Sequence, residues 1–453
     1  MAVRWPHLGL VLALLAPALL AAPFGEGSDA GNDPDDDTLP TGVLQATVRK
    51  IGAAGAMRTW AVTDHAGAPL GTRDWKAFTV GGNCCEHYLA TTPDGRILNL
   101  GGAHPTWSAD GGDTWWRATP QMVLLGAEGG IVAAPGGDVV GMTWDPYTGD
   151  QVVSYRYHAA TDTWHWNLVN LKTPFFDRPW ISVAPGPFEV GGVTIPYVSF
   201  IKGGVIKTPL YMSLDGLHYS AVDPGNIAAA NDDIRTTLPD LGVSAPVDHL
   251  QGNREATGIP LPRGGWLGPL LHMHAEGPHA ALLTENLTWA AYDGPIPNKD
   301  VYIDSSGAIH QVSDLGGRLR HRLSLDGGET WRTQIYERTG AIAEEWDFKA
   351  NGNLGLAALL VRWGSSQIPD QDIVYKVWDY ATDLTPDEVL WVGDGDIDTT
   401  SGLGNSPRYD FATLAILPDG RVVASFADRS YSPGFAIESA DGGLLSSLPA
   451  ILE

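Results

Sequence analysis

The chain has 453 residues, of which 43% are hydrophobic, so it can bury a large core and is not a disordered chain. Its 53 acidic and 28 basic residues give a formal net charge of −25. This charge excludes nucleic acid and anionic membranes as partners, because phosphate would be repelled over the whole surface. The 55 glycines, the 32 prolines and many short apolar runs predict an all-β protein.

The first 42 residues are predicted to be an export signal and a linker. Arg4 precedes an apolar run from Leu8 to Ala22 that is typical of a signal peptide spanning residues 1–22, and an uncleaved cell-surface anchor is the alternative. Residues 23–42 are acidic and contain little to bury, which predicts a disordered linker. We therefore expect a secreted protein, not inserted in a membrane after signal cleavage, whose folded domain covers residues 43–453.

The only cysteines, Cys84 and Cys85, are adjacent in the sequence. In an exported protein such a pair predicts a vicinal disulfide. This disulfide would close almost no loop, so it would stiffen one turn rather than stabilise the whole fold. A zinc site built on cysteines is not expected, because there is no second pair of thiols.

A phrase of a polar start, an alternating apolar run and a Pro/Asp/Gly turn occurs seven times, from "CCEHYLATTPDG" to "SPRYDFATLAILPDG". Its turn glycines are Gly95, Gly137, Gly186, Gly264, Gly307, Gly352 and Gly420. Most of the gaps between them are in the forties, a period that is typical of β-propeller blades. The sequence predicts a seven-bladed propeller of four-stranded antiparallel blades with an insertion at residues 217–251. Six blades with a long insertion is the alternative.

A second motif, "SADGGDTW" at Ser108–Trp115, returns as "SLDGGETW" at Ser324–Trp331. Partial copies of the motif begin at Thr161, Ser213, Thr284 and Ser439. In such a motif Asp side chains accept hydrogen bonds from turn amides, the glycines accept positive φ, and the Trp packs back over the turn. We expect it to form the hairpin between the third and outer strands of each blade.

The two full copies resemble the Asp-box, or BNR repeat, of the sialidase-like superfamily of β-propellers. The resemblance implies the fold but not one function, because sialidases, other glycan-cleaving enzymes and non-catalytic receptors carry the motif. The Arg-Ile-Pro motif of the family's first blade has no counterpart here, and "CCEHY" is found near that place.

The resemblance also implies site residues at the N-terminal ends of the inner strands. Sialidase-like enzymes hold a substrate carboxylate with three arginines, a role that Arg178, Arg254 and Arg408 would take because a guanidinium matches a carboxylate in two hydrogen bonds. The family's other roles are a Tyr nucleophile, its Glu partner and an acid. The candidates for them are Tyr409 or Tyr431, Glu345 or Glu255, and Asp177 or Glu86, respectively.

Charged residues recur at one level of the repeat. Nine positions before a turn glycine are Glu86, Glu128, Asp177 and Glu255, and His87, Asp347 and Asp410 lie at about the same level. If the carboxylates crowd one funnel, their like charges raise some of their pKa values. Such a site either uses a protonated carboxyl as a general acid or holds a cation between carboxylates. The alternative is a set of exposed loops that are polar for that reason alone.

Two further patterns are compatible with metal binding. Asp394, Asp396 and Asp398 match the first three carboxylates of a calcium loop, but Thr399 and Asn405 replace the Gly and Glu expected later. Two interpretations of this segment stay open, a calcium site and a solvated acidic turn. No other cofactor is expected. The histidines of "HMHAEGPH" could form a metal site, supply the base of a uronate lyase or be ordinary strand residues. They are His272, His274 and His279.

Together these patterns predict a secreted, monomeric propeller that acts on or binds an acidic glycan at the channel rim. As an enzyme it would be a sialidase-like glycoside hydrolase or a uronate lyase. The alternative is a non-catalytic propeller at the cell surface that binds a glycan or a protein.

Overall fold

The computed structural model describes 17 stretches of the chain. They are residues 42–52, 54–79, 88–100, 104–120, 128–144, 151–170, 180–202, 211–221, 259–260, 266–267, 280–283, 289–292, 301–304, 306–365, 368–393, 413–426 and 434–439. These residues form strands and one short 3-10 helix, Pro135–Gly137, which confirms the all-β prediction. No helix in this part of the chain is long and apolar enough to cross a membrane. The predicted signal peptide and residues 23–41 of the predicted linker lie outside these stretches.

The strands form four-stranded antiparallel units, numbered 1 to 7 along the chain. The N-terminal segment supplies β1 (Leu44–Gln45), β2 (Thr47–Ile51), β3 (Ala54–Thr63) and β4 (Pro69–Thr79). Unit 1 contains β5 (Tyr88–Thr91), β6 (Ile97–Leu100), β7 (Thr106–Ser108) and β8 (Trp115–Thr119). Unit 2 contains β9 (Glu128–Ala133), β10 (Val139–Trp144), β11 (Gln151–His158) and β12 (Thr163–Asn170). Unit 3 contains β13 (Trp180–Val190), β14 (Val193–Lys202), β15 (Tyr211–Ser213) and β16 (Ser220–Ala221).

The remaining units follow in the same way. Unit 4 contains β17 (Ile259–Pro260), β18 (Trp266–Leu267), β19 (Ala280–Leu283) and β20 (Trp289–Tyr292). Unit 5 contains β21 (Val301–Ile303), β22 (Ile309–Asp314), β23 (Leu319–Ser324) and β24 (Arg332–Tyr336). Unit 6 contains β25 (Ile342–Asn351), β26 (Leu356–Ser365), β27 (Ile368–Val377) and β28 (Glu388–Gly393). Unit 7 contains β29 (Leu414–Ile416), β30 (Val422–Phe426), β31 (Gly434–Glu438) and, from the other end of the chain, β4.

The first strands of the units lie side by side. β25, β29, β5, β9 and β13, which belong to units 6, 7, 1, 2 and 3, contact one another in that order. Inner strands in mutual contact, each followed outward by three antiparallel strands, are the arrangement of a β-propeller. The predicted propeller fold is therefore confirmed. Each of the seven repeat phrases overlaps the first strand of one unit.

The N-terminal segment pairs with outward strands of four units. β1 pairs with β12 of unit 2, β2 pairs with β8 of unit 1, and β4 pairs with β31 of unit 7. β3 pairs with β4 on one side and with β28 of unit 6 on the other. The repeat phrases begin only at Cys84, so the sequence pattern did not show that unit 7 takes its fourth strand from this segment.

The core lies between neighbouring sheets. In the units whose side chains are described, alternating strand residues pack against a neighbouring unit, and the largest fully buried side chains belong to these interfaces. They include Trp75, Trp115, Trp164, Trp166, Trp346 and Trp363. These six Trp side chains therefore fill the space between neighbouring units.

The "SxDGGxTW" motif forms the loop between the third and fourth strands, as the sequence predicts. In unit 1, Ser108 Oγ donates to Asp110 Oδ1 at 2.8 Å, and the Thr114 amide donates to the same oxygen at 2.8 Å. The indole of Trp115 donates to the Gly112 carbonyl at 3.0 Å. The copy at Ser324–Trp331 in unit 5 repeats these bonds. The motif is therefore a structural loop.

Two details of the sequence prediction change in unit 3. β13 continues through Gly186 to Val190 with a register shift between Pro185 and Phe188, so the turn lies at Gly191–Gly192 and not at Gly186. β16 occupies Ser220–Ala221, so the first residues of the predicted insertion 217–251 belong to unit 3. Residues 222–251 lie outside the described part of the chain.

Candidate functional site

Most of the residues that the sequence assigns to a site lie outside the described stretches. These are Glu86, His87, Asp177, Arg178, Arg254, Glu255, Arg408, Tyr409, Asp410 and Tyr431, the acidic group Asp394, Asp396 and Asp398, and the three histidines of "HMHAEGPH". Cys84 and Cys85 lie outside them as well. Their roles stay predictions. Glu345 lies on the described strand β25, and only its backbone is described.

The described inner strands nevertheless show which strand ends these residues precede in the sequence. β5 begins directly after His87, and β13 begins two residues after Arg178. β29 begins shortly after Asp410. The candidates therefore precede the N-terminal ends of inner strands, which is where the sequence predicts the rim.

A row of charged residues crosses unit 6 near this end. Glu345 of β25 is the register partner of Arg362 on β26, and Arg362 is in turn the partner of Asp372 on β27. The Nε of Arg362 donates to Asp372 Oδ1 at 3.1 Å, and their side chains are only 4% and 3% exposed. The register partner of Asp372 on β28 is Gly393, which directly precedes Asp394 in the sequence.

Beside this row, Asp347 joins the inner strands of units 6 and 7. Its Oδ2 accepts the amide of Leu414, the first residue of β29, at 2.7 Å. Its Oδ1 accepts the Phe348 amide at 2.9 Å and the Nζ of Lys349 at 3.1 Å. A carboxylate that accepts hydrogen bonds from several N–H groups is held in one orientation. Asp347 is thus suited to position the inner strands of units 6 and 7 relative to each other.

A second polar contact continues the connection to unit 1. Thr413 Oγ1 accepts the amide of Leu89 on β5 at 3.1 Å. The starts of three successive inner strands are therefore tied together by side-chain hydrogen bonds. We call Asp347, Lys349, Arg362 and Asp372 the buried charged cluster of unit 6.

The sequence analysis missed three members of this cluster, Lys349, Arg362 and Asp372. A signal for Arg362 was present, because a single Arg interrupts the apolar run "AALLVRWG" of a central strand. Such a residue is buried only when it is paired. The identity of its partner depends on strand register, which the local sequence does not contain.

The structure brings together another buried polar group, between units 5 and 6 at the opposite end. Asp304, in the turn before β22, accepts from the Tyr380 hydroxyl of unit 6 and from Ser306 Oγ at 2.7 Å. His310 Nε2 lies 3.1 Å from Asp304 Oδ2, and His310 Nδ1 lies 3.0 Å from His321 Nε2. We call Asp304, His310, His321 and Tyr380 the histidine cluster.

The electrostatics of the histidine cluster follow from burial and hydrogen bonding. Burial alone would raise the pKa of Asp304, but hydrogen bonds from His310, Tyr380 and Ser306 lower it to about 2. Burial lowers the pKa of His310 against the opposing effect of Asp304. Burial and the neighbouring His310 hold the pKa of His321 well below its usual range. Both rings are therefore neutral in the folded protein at neutral pH.

The histidine cluster resembles an acid–base relay, but a substrate has no access to it. The side chains of Asp304 and His310 are 0% exposed, and His321 is buried as well. A general base must come within hydrogen-bond reach of its substrate. We therefore interpret this cluster as a connection between units 5 and 6.

A buried ionic network joins units 6 and 7 to the N-terminal segment. Arg73 of β4 contacts both Glu438 of β31 and Glu388 of β28, the latter at 2.8 Å. Lys376 of β27 lies 3.0 Å from Glu438 Oε2. Burial, together with Arg73, lowers the pKa of Lys376 to about 7, although Glu388 and Asp419 oppose this shift. The network therefore holds the closing strand of unit 7 in place.

A polar groove of about 570 Å³ lies between units 7 and 1, beside this network. Its carboxylates already have partners: Asp113 is 2.7 Å from Lys76, and Asp419 is 2.7 Å from Arg421. Among the described residues, no group of three or more His, Cys, Asp or Glu side chains is arranged to hold a metal ion. These two carboxylates are thus already neutralised by cations that line the same groove.

No family model matches this chain, and no curated protein matches it. Among solved structures it is similar to a protein of unknown function from Dyadobacter fermentans, with 14% identity over 86% of this chain and 98% of that one and a TM-score of 0.34. It is also similar to a fucose-specific lectin from Aleuria aurantia (9%, 80% and 96%, TM-score 0.34). The NanB sialidase of Streptococcus pneumoniae is a further similar structure (13%, 80% and 70%, TM-score 0.34). Similarity at this level says nothing about ligand or activity.

Proposed function

We propose that this chain is a secreted Asp-box propeller that binds an acidic glycan at the N-terminal ends of its inner strands and cleaves it there. The observation that supports the proposal is the buried charged cluster of unit 6. Burying ionised side chains is costly unless they are fully paired. Paired as they are here, they give a rigid base beneath a ligand site, as binding or catalysis requires.

Binding of the ligand's carboxylate is assigned to arginines near the start of the inner strands. Because the chain has a net charge of −25, an acidic polymer is repelled by most of its surface. Local guanidinium groups are therefore needed, and Arg178, Arg254 and Arg408 are the candidates from three different units. Each could form two parallel hydrogen bonds to one carboxylate.

Cleavage is assigned to the carboxylates and tyrosines of the same rim. Asp177 or Glu86 would protonate the leaving oxygen, and Tyr409 or Tyr431 would attack with help from Glu345 or Glu255. Elimination from a uronate would instead need a base beside the bound carboxylate. The two reactions differ in their products, since only elimination leaves an unsaturated sugar end.

The proposal predicts that Asp177→Asn abolishes turnover and leaves the fold intact. Wild-type protein is incubated with sialosides and with uronate polysaccharides, and released sugar and unsaturated ends are measured. The matched control is Asp110→Ala in the unit 1 loop, which should lower the melting temperature slightly and keep full activity. Glycan binding without turnover would contradict the catalytic part of the proposal. Absence of both binding and turnover would contradict the whole of it.

A further inference from the structure

Strand β3, which lies next outward from β4 in the sheet of unit 7, has an outer side that is covered only at one end. On its inner side β3 pairs with β4 over its whole length. On its outer side it pairs with β28 of unit 6 at Val62 and Thr63. Beyond these two residues, no other strand of the described part of the chain lies along that outer side.

The hydrogen-bond pattern decides which backbone groups of β3 point to the outer side. The amide of Ser439 donates to the Asp74 carbonyl at 2.9 Å, so Asp74 directs its backbone groups to β31 and the next residue, Trp75, directs its groups to β3. The register partner of Trp75 on β3 is Arg58, which therefore bonds β4. Residues that alternate with Arg58 direct their N–H and C=O groups to the outer side. These residues, which we call the open edge of β3, are Gly55, Met57 and Thr59.

The open edge is exposed and has few of the features that usually protect a strand edge. All three of its residues are exposed, Met57 by 57%. Proteins protect such edges with short strands, charges, prolines or bulges. β3 is 10 residues long, Arg58 is its single charged residue, and it contains no proline. Its register shift lies between Val62 and Thr63, outside the open edge. The open edge is therefore a template on which another strand can pair.

The charge of the N-terminal strands is opposite to that of the whole chain. Residues 43–63, which supply β1, β2 and β3, contain three basic and no acidic residues, whereas the chain has a net charge of −25. The three exposed basic residues are Arg49, Lys50 and Arg58. The neighbouring carboxylates have partners: Asp74 accepts the Thr59 hydroxyl at 2.5 Å, and Asp113 lies 2.7 Å from Lys76. Complementarity of charge therefore favours an acidic occupant over a basic one.

We propose that the open edge of β3 is a docking site for an extended, acidic peptide segment of a partner protein, which adds to the sheet of unit 7 as a further strand. In this mode of recognition main-chain hydrogen bonds provide affinity, and side chains at alternate positions provide specificity. The open edge supplies the main-chain donors and acceptors, and Arg58 lies beside the carboxylates of the added strand. A second copy of this chain fits less well, because its own edge has the same positive charge.

This site does not depend on the proposed activity at the rim. The open edge lies on a strand outside the four strands of unit 7, whereas the rim candidates precede first strands. Asp177→Asn should therefore leave binding of the peptide unchanged.

The test measures fluorescence anisotropy of a labelled peptide of about eight residues, in which Glu and Val alternate, with the full chain at about 50 mM salt. We expect saturable binding with a Kd below about 1 mM. A peptide with Lys in place of Glu should bind at least about fivefold more weakly. The Glu peptide with N-methyl groups on its four central residues should not bind, because it keeps the charge and loses the main-chain donors.

The variant Met57→Pro tests the assigned direction of the backbone. It removes an N–H that points away from β4, and proline is tolerated on an edge strand at such a position. Binding of the Glu peptide should fall at least about tenfold, the effect of losing main-chain bonds to the added strand. The matched control Met57→Ala keeps the amide and should bind within about threefold of wild type. Arg58→Gln should weaken binding by about two- to fivefold.

Three results would overturn the proposal: no binding of the Glu peptide, equal binding of its N-methylated form, or equal losses for Met57→Pro and Met57→Ala. A wild-type chain that sediments as a dimer and becomes a monomer on Met57→Pro would also overturn it, since the occupant would then be a second copy. If Met57→Pro lowers the melting temperature strongly, the N-methylated peptide decides the question with the unaltered protein.

Discussion

A chain that begins at Val80, and so lacks β1 to β4, is expected to show no cooperative thermal unfolding transition. Unit 7 loses its fourth strand and the fully buried Trp75. Loss of a buried Trp side chain alone costs about 3–5 kcal/mol. Loss of Arg73 also leaves the buried Glu438 and the partly buried Glu388 without that partner. These costs together reach the whole stability of an ordinary domain, about 5–15 kcal/mol.

The control for this truncation is a chain that begins at Gly52 and lacks only β1 and β2. These strands add to outer edges, and most residues of β2 are exposed, Val48 by 43%. The shorter truncation should keep a cooperative transition at a slightly lower temperature, followed by circular dichroism. Equal melting temperatures for the two truncated chains would show that β4 does not complete unit 7.

Replacement of Asp304 by Ala is expected to lower the free energy of unfolding by about 3–5 kcal/mol, because buried donors lose a charged acceptor. These donors are His310 Nε2, the Tyr380 hydroxyl and Ser306. Urea unfolding at neutral pH measures the change. The control is Asp314→Ala in the same unit, an exposed carboxylate that accepts the Gly317 amide at 2.9 Å, and it should cost less than about 1 kcal/mol. Similar losses for both variants would contradict the assigned role of Asp304.

The histidine cluster also predicts a loss of stability in acid. His310 and His321 have lowered pKa values, so below about pH 6.5 the unfolded chain binds protons that the folded chain does not. The free energy of unfolding therefore falls as the pH drops below that value, by up to about 1.4 kcal/mol per pH unit for each proton. The contribution of Asp304 is present above its unfolded pKa and is lost only as the pH falls through about 2.

The variant His321→Phe provides the comparison for this pH dependence. It keeps an aromatic ring at the position but removes one titrating group. Between pH 6.5 and 4.5, its free energy of unfolding should fall less steeply than that of the wild type, by the equivalent of about one proton. Identical slopes would mean that His321 is already protonated in the folded protein.

The sequence by itself determined the elements that depend on local chemistry. All seven repeat phrases overlap inner strands, because alternation of apolar residues before a turn is a property of neighbouring residues. The "SxDGGxTW" loops form as predicted because their hydrogen bonds join residues only two to four positions apart. The same method misplaced the turn at Gly186, since a register shift extends β13 beyond it.

The tertiary structure alone decided which distant residues meet. Arg73 pairs with Glu438 although nearly the whole chain separates them, and nothing in either segment indicates this partner. Arg362, Asp372 and the histidine cluster were missed for the same reason: each buried charge needs a partner, but strand register and unit packing select it. The sequence marks where polar residues occur among apolar ones. Only the packing of the units determines whether such a residue joins two sheets or supports a rim.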